Sequence, residues 1–347
     1  MSTSQRKVKV AAVQAAPVFL EHDATVELAC DLIDEATGAG AQLVVFPEAF
    51  VPGYPDFVWR LPAWSDGDWY RRLADNAMTL SGRGVERLTE AARRAGVWVV
   101  IGINELSASG TLYNTLLYLS PEGELAGVHR KLMGTGGERT VWGQGDGSTL
   151  TVIDTPFGRL GGLTCWENYM PLARMAMYAQ GVDIYVAPTW DCNEVWVSTL
   201  QHIAKEGRMY VVGVAACLRG SDVPVELRGT IYGGDDDWMC RGRSAIVGPD
   251  GDLRAGPLID ERGILYAELD LGHVQSSRRE FDPIGHYARP DVFKLSVDTT
   301  ARPAVVFTTE PALTTTPTDV PSWDMATNES DGRETLTSVL TSDRAHQ

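Results

Sequence analysis

Long apolar runs, paired cysteines and an excess of positive charge are all missing from this sequence of 347 residues. The most apolar short run, Val97 to Ile103, falls far below the roughly 20 residues that a membrane-spanning helix needs. No membrane association is therefore expected. Met1 to Val10 carry basic side chains but neither an apolar h-region nor a cleavage site, so no secretory signal is read there. The cysteines Cys30, Cys165, Cys192, Cys217 and Cys240 are odd in number and widely spaced, with no C-x-x-C pair. That pattern argues against a disulfide framework and a zinc ribbon, and favours a reducing, cytoplasmic compartment. In that setting the glycosylation-like triplet Asn328-Glu329-Ser330 reads as chance. Lys plus Arg number 30 against 46 Asp plus Glu, a formal charge of −16. Such a chain is a poor partner for nucleic acid or an anionic membrane, since phosphate binding needs excess positive charge. H-E-x-x-H, P-loop and G-x-S-x-G motifs are absent, and Gly143-Gln-Gly-Asp-Gly147 lacks dinucleotide-fingerprint spacing. The acidic run Gly233 to Trp238 has no Glu at an EF-hand closing position and reads as a solvated loop, not a metal site.

What is present is packing mass. Hydrophobic residues make up 44% of the chain, with 10 Trp, 11 Tyr and 8 Phe, and only 22% is charged. This suffices for a full core rather than a disordered chain. Strand-like segments are expected at Lys9–Gln14, Gln42–Phe46, Val97–Ile103, Leu112–Leu119, Leu125–His129, Thr149–Ile153, Arg159–Thr164, Asp183–Ala187, Met209–Ala215, Ser244–Val247 and Ile264–Asp270. Helices are expected at Thr25–Thr37, Gly84–Ala95, Met170–Gln180 and Glu194–Glu206. Continuous apolar strands imply sheets buried on both faces, layered with helices. Residues 301–347 are rich in Thr and Pro with little apolar periodicity, and read as a flexible tail after a domain spanning 1–300.

Three places combine chemistry with an end of an expected strand. Glu48 follows a buried strand and Pro47; burial raises a carboxyl pKa and suits it to acid–base work. A structural salt bridge or a helix cap explains a lone Glu there equally well. In His129-Arg130-Lys131, one of the two cations must face inward if the strand continues, and a glycine-rich turn follows. A basic surface loop is the plain alternative. Cys165 lies where a strand turns into a helix, close to backbone N–H groups that favour thiolate. Cys30, Cys192, Cys217 and Cys240 read as inert core. For a papain-like pair, none of His129, His202, His273 and His286 stands in a context that recommends it as the base.

Taken together these segments resemble the nitrilase family of carbon–nitrogen hydrolases. Phe46-Pro47-Glu48, His129-Arg130-Lys131 and Cys165-Trp166-Glu167-Asn168 match its base, lysine and nucleophile segments in order. Thr135-Gly-Gly-Glu138-Arg, Ala187-Pro-Thr-Trp-Asp191 and Phe281-Asp-Pro-Ile-Gly-His286-Tyr-Ala-Arg-Pro-Asp291 extend the likeness over roughly residues 7–295. The resemblance implies an α/β fold, a four-layer α-β-β-α sandwich. It also implies dimers that pair helix layers and extend into spirals or filaments. The implied activity is hydrolysis of an organic nitrile to a carboxylic acid and ammonia, with no metal or cofactor. The implied roles are Cys165 as nucleophile, Glu48 as base, and Lys131 with the Trp166 N–H as holders of developing charge. Glu138 is implied to orient Lys131. Cys-Trp-Glu favours the nitrilase branch over the amidases, but leaves a cyanide hydratase or dihydratase as an alternative; the intact Glu48, Lys131 and Cys165 count against a catalytically silent filament protein.

Two positions depart from the branch. Gly134 stands where Pro is usual, and Thr164 where a branched aliphatic residue is usual. Both are expected to shape the pocket floor or the lysine loop, and hence substrate range. Tyr54, Trp59, Thr135, Trp142, Trp166, Tyr169 and Trp190 are expected around a medium-sized apolar cleft. The segment Leu218–Asp237 reads as a long inserted loop suited to contacts between dimers.

Overall fold

Strands that are apolar along their whole length need cover on both faces, and this chain supplies it with two sheets and two helix layers. The computed structural model describes residues 7–226 and 234–307. Residues up to Arg302 form one compact unit; of a second unit, 303–347, residues 303–307 are described and carry no helix or strand. Most of the Thr/Pro-rich tail, the glycosylation-like triplet and residues 227–233 of the inserted loop lie outside the described residues.

The first sheet contains β1 (Lys7–Gln14), β2 (Leu43–Val45), β3 (Trp98–Leu106), β4 (Leu112–Leu119) and β5 (Leu125–Arg130). The second contains β6 (Val152–Thr155), β7 (Gly158–Gly162), β8 (Ile184–Thr189), β9 (Tyr210–Ala215), β10 (Cys217–Arg219), β11 (Trp238–Val247) and β12 (Leu253–Ile259). The last strand, β13 (Gly263–Asp270), returns to the first sheet, whose order is β13-β1-β2-β3-β4-β5. The second sheet runs β10-β11-β9-β8-β7-β6, with β12 on β11. Both sheets are mixed: β1, β2 and β3 are parallel, as are β7, β8 and β9, and the flanking pairs are antiparallel.

Side-chain alternation builds the layers. Val10, Ala12, Val45 and Leu116 meet Leu160, Ile184, Val186 and Val212 between the sheets. Their neighbours Ala11, Val13, Val44 and Leu117 face outward, against α1 (His22–Gly38) and α3 (Arg83–Ala95). On the other side α4 (Pro171–Ala179) and α5 (Glu194–Gly207) bury Met177, Trp196, Leu200 and Ile203 on Tyr185 and Val211. The result is the α-β-β-α order expected from the sequence.

Differences have local causes. The strand expected from Thr149 starts at Val152, because the Asp146 carboxylate accepts from the Ser148 N–H (3.0 Å) and winds Gly147–Thr149 into a 3-10 turn. β11 starts six residues before the expected Ser244. The Gln14 amide accepts from the Ser244 N–H at 2.9 Å and bridges an irregular stretch that hides the strand's periodicity. Helix α2 (Gly67–Asp75) is not among the expected helices; Leu73 is its one fully buried side chain, and Trp69, Tyr70 and Ala74 pack beside it on the same face. Strand β12 and the short helix α6 (Leu271–Ser277) were not expected either.

Gly102 on β3 is where the scaffold touches the segment carrying Glu48. A Cβ there would stand 2.4 Å from the Ala49 nitrogen and 2.5 Å from the Pro47 oxygen. Gly102→Ala is therefore expected to displace residues 47–49 and to cost about 1–3 kcal/mol, the usual penalty for overpacking. A lower urea midpoint with an unchanged slope would verify this, and an unchanged midpoint would refute it.

Candidate active site

Four strand ends converge. After β2 the chain leaves the sheet through Pro47 and places Glu48 inside. After β5, the Lys131 N–H donates to the Asn114 carbonyl of β4 (2.8 Å), which continues the pairing one residue further. Arg130 and Lys131 therefore point oppositely. Arg130 reaches Glu105 and lies over the Tyr113 ring at 4.3 Å, while Lys131 turns inward and is buried. β7 stops at Gly162, before the expected end, and a 3-10 helix runs Cys165–Tyr169. Cys165 itself has φ 52°, a left-handed conformation that is costly for a residue with a Cβ. The Asn168 amide holds it, donating to the Cys165 carbonyl (2.8 Å) and the Leu163 carbonyl (3.0 Å), while Tyr185 donates to its oxygen (2.8 Å).

The functional groups form one buried network. Lys131 Nζ donates to Glu48 Oε1 and to Glu138 Oε2, both at 2.7 Å. Glu48 also accepts from Asn114 Nδ2 (2.7 Å) and from the Trp190 N–H (2.8 Å) at the end of β8. Glu138 accepts from the Tyr54 hydroxyl (2.6 Å) and the Thr135 N–H (2.7 Å). Cys165 Sγ lies 3.2 Å from Thr189 Oγ1.

Burial raises the Glu48 pKa above its ordinary 4.5, opposed by the Lys131 charge. Burial also disfavours the Lys131 ammonium, but Glu48 and its other anionic neighbours outweigh this and hold it above the ordinary lysine range. The Cys165 thiol is pushed well up by burial and by the Glu48 charge, with Lys131 pulling the other way. The expected thiolate at the helix start is thus not the resting form: Lys131 acts in the expected direction and is overridden by desolvation and a facing carboxylate.

A second buried ion pair links two of these segments. His129 and Glu167 are both fully buried, with Nε2 and Oε2 2.9 Å apart. The other ring nitrogen of His129 lies 2.8 Å from the Thr149 carbonyl, which only accepts. Against an ionised Glu167, both ring nitrogens therefore carry hydrogen, and the ring is an imidazolium. Glu167 in addition accepts from the N–H of Leu132 (2.7 Å), next to Lys131, and of Thr164 (2.8 Å), next to Cys165. Burial opposes both charges; the partner prevails, raising the His129 pKa and lowering that of Glu167.

Above Cys165 opens a cleft of about 270 Å³ lined by Tyr54, Trp59, Thr135, Glu138, Trp166, Trp190, Asp191, Cys192 and Asn193. Tyr54 and Trp190 stack at 4.5 Å and form one wall. Trp166 is half-exposed and donates its indole N–H to Asp191 (2.8 Å). Three expected residues are not on the wall. Trp142 is buried behind Tyr54, donating to Asn104 (2.9 Å). Tyr169 packs edge-on between Trp166 and Trp196. Thr164 is wholly buried, and its hydroxyl has no hydrogen-bond partner among the described residues. Gly134 is not on the wall either: a Cβ there would meet the Arg139 nitrogen (3.3 Å) and the Glu138 carbonyl carbon (3.4 Å). Conversely, Cys192, read as core, is on the wall, with its thiol held below the ordinary range by the neighbouring thiol of Cys240. Asn114, Thr189 and the partnership of His129 with Glu167 escaped the sequence reading; only the Ala187-Pro-Thr-Trp-Asp191 segment carried a signal. Among the described residues no cluster of His, Cys, Asp and Glu could hold a metal ion, and no helix is long and apolar enough to cross a membrane.

Residues 9–279 match the carbon–nitrogen hydrolase family model. The chain is 45% identical over 306 residues to an aliphatic nitrilase of Sinorhizobium fredii (strain HH103), covering 86% of this chain and 98% of that one. It is 43% identical to nitrilase 2 of Arabidopsis thaliana, covering 86% and 91%. It is 40% identical to a bifunctional nitrilase/nitrile hydratase of Nicotiana tabacum, covering 88% and 90%. Among solved structures, a carbon–nitrogen hydrolase from Helicobacter pylori G27 shares the fold with a TM-score of 0.65 and 23% identity, over 83% of this chain and 97% of that one.

Removing one partner of the buried His129–Glu167 pair leaves an uncompensated charge, so Glu167→Ala is expected to cost about 3–5 kcal/mol. The contribution of His129 is complete below its ordinary 6.5 and fades as pH rises through the raised folded value. That of Glu167 is complete above its ordinary 4.5 and fades as pH falls through the lowered folded value. The stability gap between wild type and Glu167→Ala should therefore be widest between those two values and narrow in alkali. Urea unfolding at several pH values measures it; a gap independent of pH contradicts the ion pair. Because Gly134 and Thr164 stand off the cleft wall, Gly134→Pro and Thr164→Ile are expected to change kcat to a similar extent on every substrate. A changed ranking of small against bulky substrates would restore a role in selectivity.

Proposed function

We propose the route by which this chain, which belongs to the carbon–nitrogen hydrolase family and is a nitrilase, hydrolyses an organic nitrile to the carboxylic acid and ammonia. The observation that carries the route is the Lys131 ammonium shared at 2.7 Å between Glu48 and Glu138, beside Cys165 and beneath the cleft.

Glu48 takes the thiol proton as sulfur attacks the nitrile carbon. One C≡N π pair moves to nitrogen, which accepts the proton back from Glu48, and a thioimidate results. Glu48 then deprotonates a water that adds to the same carbon. Collapse of that tetrahedral species expels ammonia and leaves a thioester. A second water, activated in the same way, releases the acid and returns the proton to sulfur. Lys131 and the Trp166 N–H, one of the first N–H groups of a 3-10 turn and so without a partner inside it, hold the charge that develops on nitrogen and then on oxygen. Glu138 fixes the direction of Lys131, and Tyr54 and Thr135 fix Glu138. No step calls for a metal or cofactor. Expulsion of sulfur instead of ammonia from the tetrahedral species yields the amide, so an amide fraction belongs to the same pathway.

Trp59, Trp166 and the stacked Tyr54–Trp190 wall receive the substituent of the nitrile. At about 270 Å³ the cleft stands just under the usual range for small-molecule sites, which favours compact nitriles over bulky ones. We assign this chemistry to residues 1–300 and an accessory role to the tail. The exposed apolar side chains Leu172 on α4 and Val195 on α5 support pairing of two copies through this helix layer. Such dimers would extend into larger assemblies through the Leu218–Asp237 loop.

Cys165→Ala should abolish ammonia release with an unchanged circular dichroism spectrum, whereas Cys30→Ala and Cys217→Ala should retain activity; turnover by Cys165→Ala would overturn the route. A panel of aliphatic, aromatic and arylacetonitrile substrates together with cyanide tests the substrate class, with compact aliphatic nitriles expected to lead. Since the carboxylate of Glu48 is the working form and its pKa is raised, kcat/KM should fall on acidification with a midpoint above pH 4.5. For assembly, sedimentation at micromolar concentration should show species larger than a dimer; monomer alone would refute it.

A further inference from the structure

The end of β8 supplies a group that the route above does not use. Thr189 is fully buried, and its hydroxyl lies between two partners. The Asp191 N–H donates to Thr189 Oγ1 at 2.8 Å, which occupies a lone pair of that oxygen. Cys165 Sγ stands 3.2 Å away on the other side. A hydroxyl has one proton to give, and here it is directed at sulfur. The next residue completes the arrangement, since the Trp190 N–H donates to Glu48 Oε2 at 2.8 Å. Asp191 in turn receives the Trp166 indole N–H at 2.8 Å and the Asn193 N–H at 2.9 Å, which fixes the loop. Three consecutive residues thus orient both the nucleophile and its base.

We infer that the Thr189 hydroxyl is a catalytic residue that donates to the reacting sulfur and leaves the thiol proton directed at Glu48. With one side of Sγ occupied by a donor, the S–H bond is free to turn to the carboxylate. The hydrogen bond strengthens as the sulfur becomes an anion, because hydrogen bonds to charged acceptors are roughly twice as strong as neutral ones. It thus favours proton transfer in a site where burial and the Glu48 charge oppose thiolate. The other titratable groups facing this sulfur are Glu48, Lys131, Glu138, Tyr54 and Tyr169. The inference rests on the nitrilase route for its kinetic consequence, but not for the contact itself.

The test uses the full-length enzyme and Thr189→Val, with Thr189→Ser as the conservative variant. Two quantities are read: kcat/KM on the best nitrile, and the pH dependence of Cys165 alkylation by iodoacetamide. Alkylation is followed on the Cys165 peptide by mass spectrometry, so that Cys192 does not contribute. Thr189→Val should lower kcat/KM by about 10–100-fold, the value of a hydrogen bond to a charged group. It should also move the alkylation midpoint up by about one pH unit, while Thr189→Ser keeps both near wild type. Should the valine variant not fold, Thr189→Ala carries the same comparison. Unchanged rate and midpoint in the valine or alanine variant overturn the assignment, as does a serine variant that rescues neither. If the alkylation midpoint shifts as expected but wild type hydrolyses no nitrile, the donor assignment stands and the reading of the reaction falls.

Discussion

An ammonium buried between two carboxylates governs this site. Burying any one of Lys131, Glu48 and Glu138 alone would cost several kcal/mol, so each depends on the others for its charge. The trio does not neutralise itself, since two carboxylates face one cation. Burial, with that excess of negative charge added to it, keeps the proton on Cys165. On the proposed route the nucleophile is therefore made at the moment of attack rather than stored as thiolate. This differs from cysteine sites in which a positive neighbour holds the thiolate ready. Here the cation is already engaged by carboxylates, and on the proposed route it turns to the substrate as charge develops there.

The scaffold serves that trio by bringing strand ends of two sheets together. Glu48 and Lys131 leave the first sheet after β2 and β5, and Cys165 leaves the second after β7. The His129–Glu167 pair crosses between the sheets and ties the N–H groups beside Lys131 and beside Cys165 to one carboxylate. Asn114, from β4, reaches Glu48 with its side chain and Lys131 with its carbonyl.

Much of this was legible in the sequence, for identifiable reasons. The inner strands are apolar along their length, so most of them and their burial between helices follow from hydrophobic pattern, while the four-layer order followed from the family resemblance. Glu48, Lys131 and Cys165 each interrupt such a pattern at a strand end, which made them visible. Helix α2 is nine residues long, and its face of Trp69, Tyr70, Leu73 and Ala74 spans too few turns to stand out. Asn114 sits inside β4 and Thr189 closes β8, and in each place one buried polar residue looks like any other satisfied core group. The site role of Glu167 depends on its meeting His129, 38 positions away in the chain. Trp142 and Thr164 show the opposite limit: adjacency to motif residues in sequence does not place a side chain on the cleft wall, because neighbours in a turn diverge. Cys192 shows it again, since a cysteine read as core lines the cleft.

The pairing of the first strand with the last bears on how the chain comes to be folded. Lys7 of β1 stands opposite Asp270 of β13, and Gln14 opposite Gly263. The segments holding Glu48, Lys131 and Cys165 all leave the ribosome while one edge of β1 still lacks its neighbour. Contacts this distant in sequence close slowly. During that interval an unpaired, apolar strand edge invites pairing with another chain. Lys7 and Lys9 lie on β1, and charge on an open edge disfavours such pairing. Once β13 arrives, Lys7 finds Glu268 at 2.8 Å. The same lysine can thus guard the strand during synthesis and pair across it in the finished sheet.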